Sequence, residues 1–301
     1  MLRVSIVALL CTLGAAWSPS ARPSSRLSAM TSPKEIDESL GAGRTLEGGK
    51  VIDFASVKAS TRAEEALLQA RERWLQSGAI VSQQEILGIN REVIAEVGHE
   101  LGTFTTPAEI QACAAYLRSK ARGVLPLATE ETVAPCSAQE ARSLLNKAYT
   151  ESGEVTEAFA KTFYMGTMLL DDAKRKAIWA IYVWCRRTDE IVDAPRDNEE
   201  DMLEDLSSWE LRLENLWSKG EVHDVFDLCL LDVRIKYPTL EITPFLDMIR
   251  GMLMDVPDLG QDRYDTFDEL HLYCYRVAGT VGVMSLPVFG CAPGFDDDTA
   301  R

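Results

Sequence analysis

Apolar residues along this chain recur three and four positions apart far more often than they alternate, which is the helical period and not that of a half-buried strand. Between Glu199 and Ser218, for instance, Met202, Leu206, Trp209, Leu213 and Leu216 follow at intervals of four and three, giving one apolar face. Start and stop signals frame other segments. Thr106–Glu109 reads TPAE: an N-cap, a proline at the first helical position and a glutamate placed to close a capping box, with Gly123 ending the segment. Thr266–Glu269 reads TFDE and opens the run LHLYCYRVAGTVGVMSLPVFG by the same rule. Ser60–Gly78 is a further capped helix, and long helices dominate from about Ala138. Strand signals are weak throughout, so the pattern predicts an all-α fold.

One helix breaks the usual division of faces. From Ala177 to Cys185 the sequence AIWAIYVWC is apolar on every side, which predicts burial all round, and it then runs directly into RRTDEIVD. Asp171 and Asp172 stand where carboxylates cap a helix start and suit its dipole. Tyr182, Arg186, Asp189 and Asp193 are spaced four, three and four apart, so they form one stripe within roughly 60° of arc. Two carboxylates a turn apart repel, and burying them uncompensated is costly, so a cation or an aqueous cavity between them is the economical explanation. Oxygen donors without His or Cys favour Mg²⁺ or Mn²⁺ over zinc, and Mg²⁺ completes its shell with water and phosphate. Arg186 is placed to hold a diphosphate oxygen through paired hydrogen bonds. For an arbitrary acid pair, a solvated helix end with surface ion pairs is the ordinary explanation. Here the apolar run upstream argues against it. Asp201, Glu204 and Asp205 have similar spacing but fall off the apolar stripe of their helix, and they are read as surface. Asp296–Asp298 is read as a solvated loop, because consecutive residues diverge.

Charge and composition narrow the partners. The 301 residues carry a formal charge of −16 and no dense Lys/Arg cluster, which argues against nucleic acid as the main partner. Residues 1–31 differ from the rest: an apolar run with an Ala15–Ala16 site, then a Ser/Ala/Arg-rich stretch without acids. Signal plus transit segments, with Trp17 at the junction, resemble the two-part presequence of algae with complex plastids, so a plastid (chloroplast) destination is expected over secretion. Seven cysteines without a CxxC pair argue against a disulfide framework or zinc site, and Cys185 and Cys274 are read as small core residues. No transmembrane helix is expected after the leader. Residues 32–137 read as a helical or partly ordered leader of unknown role, and residues 138–301 as the catalytic part.

The segment AKTFYMGTMLLDDAKRKAIWAIYVWCRRTDEIVD closely resembles the squalene and phytoene synthase family, of the phytoene type. YCYRVAGTVGVMSLPVFG (Tyr273 to Gly290), AYTESGEV and RYDTFDEL fit the same pattern, so the resemblance covers about residues 140–293. It implies an isoprenoid-synthase helical bundle around a central cavity. It also implies head-to-head condensation of two geranylgeranyl diphosphates, through prephytoene diphosphate, to phytoene in carotenoid biosynthesis, with Mg²⁺ or Mn²⁺. By the same resemblance Asp189 and Asp193 are the first aspartate-rich motif, binding metal and diphosphate. Arg186 and Tyr182 match diphosphate-contacting positions, as do Lys161, Thr162 and Phe163. Tyr273, Val277, Ala278 and Gly282 fall where the family lines its hydrophobic chamber.

Carbocation chemistry suits such a chamber, since the cation survives only where water is excluded and aromatic faces stabilise it. Gly279 and Gly282 would leave room for an isoprenoid tail, although close helix packing explains their spacing equally well. Peripheral association with a membrane for product release is expected. The family's second aspartate-rich motif does not occur before Arg301, so the bundle is expected to be incomplete at its C-terminus and the chain as written inactive and poorly soluble. Squalene synthase is the nearest enzymatic alternative, and an assembly factor that keeps the fold without catalysis is the alternative from another class.

Overall fold

The computed structural model describes residues 61–77, 106–121, 123–126, 133–193, 199–256 and 264–291. The presequence and the run Asp296–Asp298 lie outside them. The described residues are helical with short connections, as the periodicity predicts: α1 (Thr61–Ser77), α2 (Pro107–Lys120), α3 (Ala138–Phe159), α4 (Lys161–Thr167), α5 (Asp172–Asp193), α6 (Glu199–Lys219), α7 (Val225–Lys236) and α8 (Thr243–Leu253). The chain then forms one continuous helix built from α9 (Phe267–Cys274), a π-helical turn (Tyr275–Gly279) and α10 (Thr280–Phe289).

The caps at Thr106, Thr266 and Asp171 are those the sequence signals, and Ser137 adds a further capping box. Thr106 accepts from the Glu109 backbone N–H at 3.2 Å while the Glu109 carboxylate takes the Thr106 N–H at 2.7 Å. Ser137 and Thr266 do the same for α3 and α9 with Glu140 and Glu269. Asp171 caps α5 by accepting from the Lys174 N–H at 2.9 Å. Each such cap satisfies N–H groups that the first helical turn leaves without partners.

Helix α5 is the centre of the molecule. It packs on α3, α6, α7, α8 and α10, and every residue from Ala177 to Cys185 is buried. Close crossing of α3 and α5 depends on Gly153: a Cβ there would sit 2.8 Å from the Trp179 ring. Trp179 in turn donates its indole N–H to Thr167 Oγ1 at 2.8 Å. Helices α1 and α2, from the leader stretch, share this core: Leu67, Ala70, Ile110, Cys113 and Leu117 are buried in the same cluster as α5. Arg71 fastens α1 to α6 through Glu214 at 2.6 Å and Glu210 at 3.4 Å, and Glu64 reaches Arg276 at 3.0 Å.

Phe267–Phe289 is long and apolar enough, by length and composition, to cross a membrane, although no transmembrane helix was expected. In this fold one of its faces, Val277, Val281, Met284 and Val288, is buried, and Arg276 is held by Glu64; both are features of a helix packed into a protein core. One further expectation is corrected: Cys274, expected in the core, is exposed. The π turn that follows it puts α9 out of phase with the buried face of α10.

Candidate active site

Tyr182, Arg186, Asp189 and Asp193 occupy one stripe of α5, running from the core to the helix end. Tyr182 is buried and Asp189 is only 6% exposed, whereas Asp193 is exposed. The break between α3 and α4 at Ala160 brings two phenylalanines against this stripe. Phe163 tilts on Tyr182 with ring centroids 5.4 Å apart, and the Arg186 guanidinium lies 4.7 Å from the Phe159 ring centroid. Arg186 also donates to Asp189 at 3.2 Å and pairs with Glu190. Lys161 and Thr162 are exposed on the first turn of α4.

Burial pushes the Asp189 carboxyl up to about 7, repulsion from Asp193 and from Asp255 adds to the effect, and Arg186 opposes it. Asp255, just past α8, therefore brings a further carboxylate to the stripe from another element. The Tyr273 hydroxyl donates to both Asp255 oxygens, at 3.1 Å each, and the Tyr264 ring lies on Tyr273 at 5.2 Å. Burial, and after it the Asp255 charge, pushes the Tyr273 phenol well above its ordinary value, so it stays a donor. Tyr275, two residues on, donates to Asp247 at 3.2 Å. Asp255 is not among the residues singled out in the sequence; it follows the short buried run Gly251–Met254.

Of the other residues singled out in the sequence, Val277 is buried, Tyr273 and Ala278 are half-buried, and Gly282 is exposed with nothing within 4 Å of where a Cβ would stand. The π turn approaches α8 at Gly251, where a Cβ would lie 2.9 Å from Arg276 Cβ and 3.1 Å from the Arg276 carbonyl carbon. Adjacent arginines diverge. Arg187 points away from the stripe into a buried network with Asp224 at 2.7 Å and Asp227 at 3.5 Å, and Arg212 binds the same two acids at 2.6 and 2.7 Å. The comparison pair on α6 behaves differently from Asp189. Asp201 is exposed and Glu204 and Asp205 are half-buried, while Met202, Leu206 and Trp209 are buried.

Among the described residues no group of three or more His, Cys, Asp or Glu side chains is arranged to enclose a metal. The donor set of the stripe fits a hard divalent cation held by one or two carboxylates. It is oxygen-only, and its buried member is held up to about 7 first by burial and then by neighbouring negative charge, which such a cation would offset.

Residues 156–301 match the family model described as squalene/phytoene synthase. The chain is 53% identical over 156 residues to the 15-cis-phytoene synthase of Synechococcus elongatus, covering 52% of this chain and 49% of that protein. It is 56% identical over 151 residues to a chloroplastic phytoene synthase of Cucumis melo, covering 50% and 34%. A chloroplastic phytoene synthase of Daucus carota is 54% identical over 151 residues, covering 50% and 36%. The chain thus spans half or less of the length of these relatives.

Proposed function

We propose, from the premise that residues 156–301 belong to the squalene/phytoene synthase family, that the protein to which this chain belongs joins two geranylgeranyl diphosphates head to head and rearranges the product to phytoene. The observation that carries this reading is the buried Asp189, beside Arg186 and within electrostatic reach of Asp255, inside a segment more than half identical to named phytoene synthases. Those names favour the phytoene reading over squalene synthesis or a non-catalytic assembly role.

Asp189 and Asp193 would hold Mg²⁺ or Mn²⁺, which when bound neutralises a departing diphosphate and lowers the barrier to ionisation. Arg186 binds diphosphate oxygen; its guanidinium is already aligned by Asp189, Glu190 and the Phe159 face. Lys161 and Thr162, exposed at the start of α4, contribute further polar groups toward the same end. Tyr182 and Phe163 supply aromatic surface beside the reacting carbons, where a ring face stabilises positive charge. Asp255 orients the Tyr273 hydroxyl, and Val277, Ala278 and the open side of Gly282 accommodate isoprenoid chain. The chloroplastic relatives support a plastid location reached through residues 1–31, and peripheral contact with a membrane for product release belongs to the same reading.

The test is incubation with geranylgeranyl diphosphate and Mg²⁺ or Mn²⁺, with and without NADPH, of a protein that also carries the family's second aspartate-rich motif. Phytoene formation independent of NADPH is expected. A product made from farnesyl diphosphate only with NADPH would replace the proposal by the squalene type, and no turnover of either substrate would replace it by the assembly role.

A further inference from the structure

The thiols of Cys113 and Cys136 are brought together by features of the fold remote from the α5 stripe. Cys113 lies on the inner face of α2 with no exposed surface, and Cys136 is half-buried immediately before Ser137, the N-cap of α3. The Cys136 backbone N–H donates to the Ala112 carbonyl at 3.1 Å, which pins Cys136 one residue from Cys113. Cys113 Sγ lies 3.9 Å from the Ala141 carbonyl oxygen, and the Cys136 thiol sits at the backbone of the same Ala141. The two side chains are within hydrogen-bonding reach of each other. Two other buried cysteines meet different partners: Cys185 Sγ lies against Met284 Sδ and Cys229 Sγ against Ser152 Oγ, each at 3.8 Å.

We propose that Cys113 and Cys136 form a reversible dithiol/disulfide site, with Cys136 as the entry point and Cys113 as the resolving thiol, fastening α2 to the first turn of α3 when oxidised. The order of events follows from exposure. A small disulfide such as oxidised glutathione reaches Cys136 but not Cys113. The Cys136 thiol loses its proton to solvent and attacks one glutathione sulfur, forming a mixed disulfide and releasing one glutathione thiolate. Cys113 then loses its proton and attacks Cys136 Sγ, closing the intramolecular bond and releasing the second glutathione. Two protein thiols are oxidised and one glutathione disulfide is reduced to two thiols, so electrons balance. Burial pushes the Cys113 thiol up to about 12 and raises that of Cys136. Exchange is accordingly slow at neutral pH and quickens as pH rises.

The site is independent of the enzymatic reading, and its test reads no turnover. The full chain is equilibrated at pH 8 in glutathione buffers from reducing to oxidising, quenched in acid, unfolded, alkylated and mapped by mass spectrometry. At the oxidising end the peptides carrying Cys113 and Cys136 are expected joined, with alkylation lost at both and restored by dithiothreitol. Cys113→Ser should stop at a glutathione adduct on Cys136, and Cys136→Ser should leave Cys113 unmodified. The proposal is overturned if both thiols stay alkylatable in the oxidising buffer, if Cys136 accumulates only as the glutathione adduct in the unsubstituted chain, or if either cysteine pairs elsewhere.

Discussion

Two neighbouring arginines on α5 show how much one residue of rotation decides. Arg186 faces the stripe with Asp189, and Arg187, about 100° further round, serves a buried ion network on the other side. Both follow the same apolar run, and the spacing puts Arg186 on the stripe while leaving the partners of Arg187, Asp224 and Asp227, unannounced. The stripe itself was legible, because four, three, four spacing after an all-round buried segment leaves charge facing inward. Asp189 carries a titration consequence. Its carboxyl ionises near 7 in the folded chain against an ordinary value of 3.8, so the folded state binds the extra proton. This group's contribution to stability is therefore lost as pH rises from about 4 to about 7. In buffer with a chelator, Asp189→Asn should leave stability unchanged near pH 4 and raise it by up to about 4 kcal/mol above pH 7, read by urea denaturation across that range. Under the proposed function, the same substitution in the full-length protein should abolish phytoene formation. Asp205→Asn, on the half-buried flank of α6, should change neither stability nor turnover appreciably; a loss equal to that of Asp189→Asn would move the proposed metal-binding role to α6.

Local chemistry announced the helices well and their interfaces poorly. Three capping boxes, at Thr106, Ser137 and Thr266, satisfy end groups within four residues of sequence, so each works before any tertiary contact forms. The π turn at Tyr275–Gly279 had no such local signal. It depends on packing against α8, where Gly251 lets the two backbones approach, and this contact joins positions some 25 residues apart. Asp255 was missed for a related reason. Only the packing of α8 against the α9–α10 helix sets it within reach of both Tyr273 and Asp189. Gly251→Ala should drive its methyl into Arg276 and displace the π turn, at a cost of about 1–3 kcal/mol in thermal or chemical denaturation. An unchanged midpoint would mean the turn does not depend on that approach.

At the scale of the molecule, α5, α6 and α7 meet around a buried ion network of Arg187, Arg212, Asp224 and Asp227. Burial alone would raise Asp224, but Arg187 and Arg212 outweigh it and hold the carboxylate well below its usual range. That contribution is present above the ordinary carboxylate value and is lost only as pH falls through the depressed one. Asp224 also caps α7, accepting from the Phe226 and Asp227 N–H groups at 3.0 and 2.9 Å. Asp224→Ala leaves Arg187 and Arg212 to share Asp227 alone and removes that cap, so a loss of about 2–4 kcal/mol is expected by denaturant titration. A loss below about 1 kcal/mol would show the network to be dispensable.

The fastening of α1 has a consequence for how the protein is made. Its ion-pair partners Glu210, Glu214 and Arg276 follow it by 139, 143 and 212 positions. A ribosome adding roughly 5–20 residues per second needs on the order of 10–40 s to supply them. For that interval Leu67 and its neighbours emerge with nothing to cover them, which makes this nascent segment a natural client for a chaperone.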